Sequence, residues 1–446
     1  ENMVNRTLIK GGIIFSVDPE IGDLPQGDVL IEGDRIVAVA PEIDAPDAQL
    51  VDATNRIVMP GLIDTHRHMW QSSIRQIAAD WTLGQYVENM LGKYGPAFRP
   101  EDVYVADLLG SLEALNGGIT TVMDWSHIMN SPAHADSAIA GLRASGIRAV
   151  FGYGAPGSPA AEWYADDVRR VAAEHFSTPG QLLTLALASL GPEFSSFEET
   201  VTDVDLAREL GIRTSIHIGV GLLGEKRSIT KMKELGLLGP DLIFVHCNTC
   251  TDEELQIIHE SGGHASISPR VEMQMGHGYP ATGRLIAAGV QPSLSVDVVS
   301  GVGGSIFAEM RGTLEAERGW QNHETLGRGE WTSELKLSTR NVVEMATIGG
   351  ARALGLDSEI GSLTPGKQAD IIMLRVDTPN LSLVNNLPAA ITLCDSENVD
   401  NVFVAGVLVK AAGELLSHDF RAVQDEARNS RDFLLPDLVR IGNGAA

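Results

Sequence analysis

Two histidines one residue apart, His66 and His68, close the apolar run "GLIDTHRHMW". In an extended strand, positions i and i+2 share a face, so imidazoles on successive rungs can grip one metal ion. Alone, such a pair is as readily structural, and its weight comes from what ends the other apolar runs. His217 lies in "TSIHIGV", His246 in "FVHCN", and Asp297 closes "SLSVD". Neutral imidazoles with a carboxylate suit zinc or a similar divalent ion. A coordination position left open admits water, whose pKa the metal lowers toward neutrality, making hydroxide the nucleophile. The remaining histidines, among them His175, His259 and His418, fall mostly in presumed helices or the chain's last segment.

Residues so far apart in sequence converge only if a fold brings strand ends together. Apolar strand-like runs recur between segments with helical spacing such as "PEDVYVADLLGSLEALNGG" and "TDEELQIIHESGG", which implies βα units and a parallel sheet. The candidate strands are "RIVMPGLIDTH", "TTVMDW", "IRAVFGYG", "LLTLALASLG", "IRTSIHIGV", "LIFVHCN", "HASISP" and "QPSLSVD". Eight such units close a barrel in which every strand ends at one face, where catalytic residues gather. Before Val58 and after Ala351 the pattern is short strands and turns, as in "GDVLIEGDRIVAVA" and "GKQADIIMLR". The expected fold is therefore α/β: a TIM-like (β/α)8 barrel over residues 59–351, beside a small β-sandwich domain built from both ends, 1–58 and 352–446. A polar, charged tail is expected from about Ser417.

Bulk composition narrows the function. Among 446 residues there are 33 Lys and Arg against 59 Asp and Glu, a net charge of −26, so nucleic acid and anionic membrane surfaces are poor partners. A small-molecule substrate is expected instead. Three cysteines, Cys247, Cys250 and Cys394, are too few for a disulfide framework, and the opening "ENMVNRTLIKGG" lacks a secretory pattern, so the expected compartment is the cytoplasm. No run approaches the roughly 20 apolar residues that a membrane-spanning helix needs. The "CNTC" spacing has no second cysteine pair and reads as ordinary loop, and "GVGGS" (301–305) lacks the lysine of a phosphate-binding loop.

The motifs "VMPGLIDTHRH", "GGITTVMD", "SIHIGV", "VHCN", "LSVD" and "ATIGGARALGL…IGSLTPGKQADIIML" resemble the amidohydrolase superfamily, in the branch of cytosine, guanine and S-adenosylhomocysteine deaminases and triazine (atrazine) chlorohydrolases. The likeness runs from about Leu8 to Gly413. It implies His66, His68, His217 and Asp297 as metal ligands, with His246 beside the activated water or the substrate's developing charge. Asp297 would also accept the water proton, since a carboxylate touching both metal and hydroxide is placed for general-base work. The implied cofactor is one divalent ion, zinc first, with Fe2+, Mn2+ and Co2+ open, and the family leads one to expect a homo-oligomer.

The sequence departs from that branch at Val220, where the family carries a glutamate that shuttles a proton to the leaving nitrogen, and at Glu193, where it carries a histidine. Two carboxylates could stand in as acids: Glu193 after the fourth strand and Glu272, in "SPRVEMQMGHG", after the seventh. Either could equally orient substrate or a ligand. Glu193 could also bridge a second metal held by His217 and His246, which ranks behind the single-metal site. Trp70, Gln71, Trp125 and His277, with Trp81, His127, Met273 and Met275, lie on presumed loops at the active face, where aromatics could stack on a flat substrate or simply pack. The function expected is attack of metal-bound hydroxide at a non-peptide C–N bond of a nitrogen heterocycle or amide-like molecule. Release of chloride, alcohol or thiol is the alternative, and a catalytically silent binding module ranks below it.

Overall fold

The computed structural model describes residues 5–437, so the outermost parts of the expected end domain, 1–4 and 438–446, lie outside the described residues. Eight parallel strands follow one another in chain order around the central sheet: β1 (Leu62–Arg67), β2 (Ile119–Ser126), β3 (Arg148–Gly154), β4 (Leu183–Ser189), β5 (Arg213–Ile218), β6 (Leu242–His246), β7 (His264–Ile267) and β8 (Ser293–Leu294). β1, β2, β3 and β6 are buried along their whole length, as parallel strands walled by helices must be. This is a (β/α)8 barrel, nearly closed. The seam between β8 and β1 is joined just past β8, where the Asp297 N–H donates to the His66 carbonyl at 2.9 Å and the His68 N–H to the Asp297 carbonyl at 2.9 Å. Asp64 strengthens the seam by accepting the Val296 N–H at 3.1 Å.

Inside the barrel, hydroxyls bridge the seam: Thr65 lies 2.7 Å from the Ser266 and 2.8 Å from the Ser293 hydroxyl. Around them pack Ile63, Met123, Val150, Ile243 and Leu354.

Both chain ends share one nine-stranded mixed sheet, joined where Ile371–Arg375 pairs antiparallel with Arg56–Pro60. "RIVMPGLIDTH", expected as one strand, is two: Arg56–Pro60 belongs to this sheet and β1 to the barrel. The chain breaks at Gly61, where a Cβ would fall 1.9 Å from the Thr120 hydroxyl, so only glycine lets the run change sheets there. The end sheet is clamped to the barrel's N-terminal face by buried Arg148 of β3, whose Nε and Nη2 donate to the two Asp370 oxygens at 2.7 and 3.0 Å.

The expected polar tail is corrected: Phe420–Leu434 is a helix. Asp419 caps it by accepting the Arg421 and Ala422 amides, and Val423 packs on Leu108 and Leu112. Its charged residues had masked a spaced apolar stripe, Val423, Ala427 and Leu434. No helix among the described residues is long and apolar enough to cross a membrane.

Candidate active site

The strand ends deliver His66 from β1, His68 from the residue just past it, His217 from β5, His246 from β6 and Asp297 from the seam to one point. Asp297 Oδ1 lies 3.2 Å from both His66 Nε2 and His68 Nε2, and His66 Nε2 lies 3.3 Å from His217 Nε2. His246 Nε2 stands slightly apart, 3.7 Å from Asp297 Oδ2. A tetrahedral ion with bonds of about 2.0–2.1 Å requires donor–donor edges of about 3.3 Å. Three of the donor edges match that spacing, and two triads, His66–His68–Asp297 and His66–His217–His246, each close enough to hold a cation, share His66 as a common corner.

Electrostatics agree with that fit. Burial pushes His66 down to about 3 and holds His217 well below its ordinary value, so both rings present lone pairs. Burial pushes Asp297 upward, but its bonds to His66 and His68 win and keep it an anion. His68 Nδ1 lies 2.8 Å from the Trp125 carbonyl, which accepts the Nδ1 proton and leaves Nε2 free to ligate. His246 and Asp297 adopt φ of 83° and 68°, left-handed backbone that non-glycine residues rarely hold, and such strain gathers at functional sites.

The carboxylates singled out in the sequence are both occupied. Glu272 is fully buried, with Oε1 2.7 Å from the Ser268 N–H and 3.1 Å from His246 Nδ1, and Oε2 accepting from Asn248 at 3.0 Å. It aims His246 Nε2 at the cluster. Burial lowers the His246 pKa, and the Glu272 bond, followed by Asp297, more than offsets this, so His246 rises above its usual range. Glu193, on the short helix Gly191–Phe194, accepts the Gly219 N–H at 2.8 Å and the Val220 N–H at 3.2 Å. It pins the turn that follows His217, where Gly219 has φ 68° and a Cβ would meet Cys250 Sγ at 2.7 Å. Burial raises Glu193 against the pull of those amides.

A cavity opens above the cluster, walled by Leu83, Val87, Leu91, Phe194, Val220 and Met275, with Tyr86, His127 and His277 as its further polar lining. His277 thus lies where the sequence reading put a substrate contact, whereas Trp70, Gln71 and Trp125 stand one layer behind. Trp125 packs 4.2 Å from the His217 ring and donates to the Ser215 hydroxyl at 3.1 Å. Trp70 donates to His127 Nδ1 at 3.4 Å, and Gln71 Nε2 donates to the Tyr86 hydroxyl at 2.5 Å. Indoles fill the volume behind the ligands and fix them. Met273 is half-exposed on the outer side of its helix. Of the wall, sequence reasoning placed Met275 at the active face but missed Tyr86, Leu83, Val87, Leu91 and Phe194; the one signal for most of these was the apolar spacing in "LGQYVENML" directly after the first strand's loop.

The model of the Amidohydrolase family matches residues 57–409. The chain is 26% identical over 442 residues to the 5'-deoxyadenosine deaminase of Methanosarcina mazei, spanning 96% of this chain and 98% of that one. It is 29% identical over 397 residues to the 5-methylthioadenosine/S-adenosylhomocysteine deaminase of Symbiobacterium thermophilum, spanning 85% and 87%. Its fold matches that of an adenosine deaminase from Xanthomonas campestris with bound zinc, at a TM-score of 0.84 and 23% identity, over 96% of this chain and 98% of that one.

Proposed function

The chain belongs to the Amidohydrolase family, and from that premise we propose that it is a metal-dependent hydrolase that cleaves a non-peptide carbon–nitrogen bond of a small molecule and releases ammonia or an amine. The observation that carries this reading is the set of donor edges of 3.2 to 3.3 Å joining His66, His68, His217 and Asp297. These four residues would hold one divalent ion, zinc being the first choice for three imidazoles and a carboxylate. When bound, the ion makes water acidic enough to attack near neutral pH.

The chain's own groups do the rest. Asp297 Oδ2, the oxygen less engaged by the histidines, takes the proton from the attacking water and returns it to the leaving nitrogen as the carbon–nitrogen bond breaks. His246 Nε2, aimed by Glu272, donates to the negative charge that develops on the reacting carbon's substituent. The apolar walls exclude bulk water and so strengthen both interactions. Curated relatives named as deaminases support amine release.

One observation favours a second reading. Val220 lines the cavity and cannot carry a proton, while Glu193 beside it is spent on backbone amides. A leaving group that departs without protonation, such as chloride or a thiolate, would suit that wall. Intact metal donors weigh against a silent binding module.

The test is amine release from a panel of aminopurines, aminopyrimidines and aminotriazines, with metal content measured alongside. The expectation is about one ion per chain, activity abolished by chelator and restored by zinc, and loss of at least a hundredfold in Asp297→Asn at full metal loading. Turnover indifferent to chelator would overturn the reading, and chloride release without amine release would favour the second.

A further inference from the structure

Resting on the reading that this cluster hydrolyses a small molecule, the cavity's chemistry restricts what that molecule can be. Among the described residues, no Lys, Arg, Asn, Gln, Ser, Thr or Glu side chain lines it, and its one carboxylate is Asp297 in the floor. A ribose brings more hydroxyls than the few polar groups here can meet, and each one left buried without a partner costs about tenfold in affinity. An amino-acid tail brings a carboxylate and an ammonium, and no opposite charge meets either of them on these walls. Leu83, Val87, Leu91, Phe194, Val220 and Met275 reward alkyl and aryl groups instead.

Three polar groups interrupt this wall: His127 accepts from Trp70 through Nδ1, while His277 and Tyr86 each keep unspent capacity. The backbone of His277 is pinned at both ends: its N–H donates to the Glu272 carbonyl at 3.0 Å and its own carbonyl accepts the Gly221 N–H at 2.7 Å. The ring therefore has a fixed aim, edge-on to His246 at 4.6 Å. It is 4% exposed, yet neither ring nitrogen has a partner among the described residues. A buried imidazole with two idle nitrogens at the edge of a cavity is costly unless a ligand meets it.

Tyr86 presents the second group. The Ser300 hydroxyl donates to Gln71 Oε1 at 2.6 Å, and Gln71 Nε2 donates to the Tyr86 oxygen at 2.5 Å. Each donor in this chain is committed in one direction, so the phenol proton is the one left over, and the ring it belongs to lines the cavity. His277 can donate or accept and Tyr86 donates, so together they suit a donor–acceptor edge such as a ring nitrogen beside an exocyclic amine.

We propose that His277 and Tyr86 form a two-point hydrogen-bonding clamp for a neutral substrate whose remaining substituents are hydrocarbon, and that the cavity discriminates against sugar and amino-acid tails.

The test pairs compounds that share a reacting group and differ only in the tail: 9-propyladenine against adenosine, and a propylamino- against a carboxyethylamino-substituted aminotriazine. Amine release by the zinc-loaded full chain is measured, together with binding by saturation-transfer NMR. The expected result is a preference of about tenfold or more for the propyl member in kcat/KM, or in affinity where turnover is absent. Equal or better use of the polar members overturns the proposal, as does failure of both propyl compounds to react or bind. Propyl-selective binding without amine release leaves the proposal standing and refutes the hydrolytic reading.

His277→Phe keeps the ring's bulk and removes both nitrogens. It should raise KM for the preferred compound about tenfold with zinc content and Tm unchanged, and His277→Gln should recover part of the loss. Tyr86→Phe should act in the same direction. An unchanged KM in both Phe variants refutes the clamp.

Discussion

Replacing Glu193 with glutamine separates the two roles that its position allows. Its two oxygens are committed to neighbouring amides, Oε1 to Gly219 at 2.8 Å and Oε2 to Val220 at 3.2 Å, with the Ser228 hydroxyl 3.3 Å from Oε1. Glutamine keeps one acceptor oxygen, so one of the two backbone N–H groups must face an NH2. Losing one hydrogen bond to a buried charged group costs roughly 1.5 to 3 kcal/mol. That strain falls on the turn directly after His217, and outer partners of metal ligands typically set about ten- to a hundredfold of metal affinity. Zinc affinity of Glu193→Gln, read by competition with a chromogenic chelator, should therefore fall by about that factor. At saturating zinc, kcat should stay within about tenfold of the native value, because the donor atoms themselves are intact. A group that hands a proton to the leaving atom would behave differently, with kcat down by about 10²- to 10⁴-fold at full zinc loading and zinc affinity unchanged. That outcome would refute the positioning role. Two ions per native chain, both lost in the variant, would refute the single-metal site.

Three further outcomes follow from the frame that holds the site. Asp370→Ala strands the buried Arg148 guanidinium and should cost about 3–5 kcal/mol, whereas the double replacement Arg148→Met with Asp370→Leu should recover most of it; denaturant midpoints decide, and equal losses in both variants would deny the clamp. Burial pushes the Lys410 amine down to about 8 in the folded protein, against about 10.4 in the unfolded chain. Unfolding between those values takes up a proton, so native stability rises with pH across that window. The advantage of Lys410→Met over the native chain should therefore be greatest below pH 8 and shrink toward pH 10.4, and a difference independent of pH would contradict the burial argument. Val423→Asp places an unpaired charge against Leu108 and Leu112 and should cost about 2–4 kcal/mol, whereas a change below about 0.5 kcal/mol would mean that the helix Phe420–Leu434 does not dock there in solution.

What could be read in advance divides along physical lines. Strand periodicity and the location of polar residues at strand ends are local properties, and they were enough for the barrel and for the convergence of His66, His68, His217, His246 and Asp297. Gly61 was harder. A single glycine inside a continuous apolar run carries no sign of the sheet change it permits, because the reason for it, Thr120, lies 59 positions away on another strand. The tail failed for the opposite reason: its charge density outweighed an apolar stripe whose partner, the helix Pro100–Asn116, is more than three hundred residues upstream.

The carboxylates show where such reasoning must stop. Residue type says that Glu193 and Glu272 can carry a proton, but role depends on what occupies their oxygens, and backbone amides leave no trace in composition. Glu193 answers to the N–H groups of 219 and 220, and Glu272 to Ser268, Asn248 and His246. The same logic inverts for His277. Nothing in its neighbours' identities marks it out, yet it lies buried at the cavity with neither ring nitrogen paired among the described residues. A site built from apolar walls places its selectivity in the few polar edges that remain unpaired, so an accounting of unspent donors and acceptors, rather than of reactive residue types, points to where substrate is recognised.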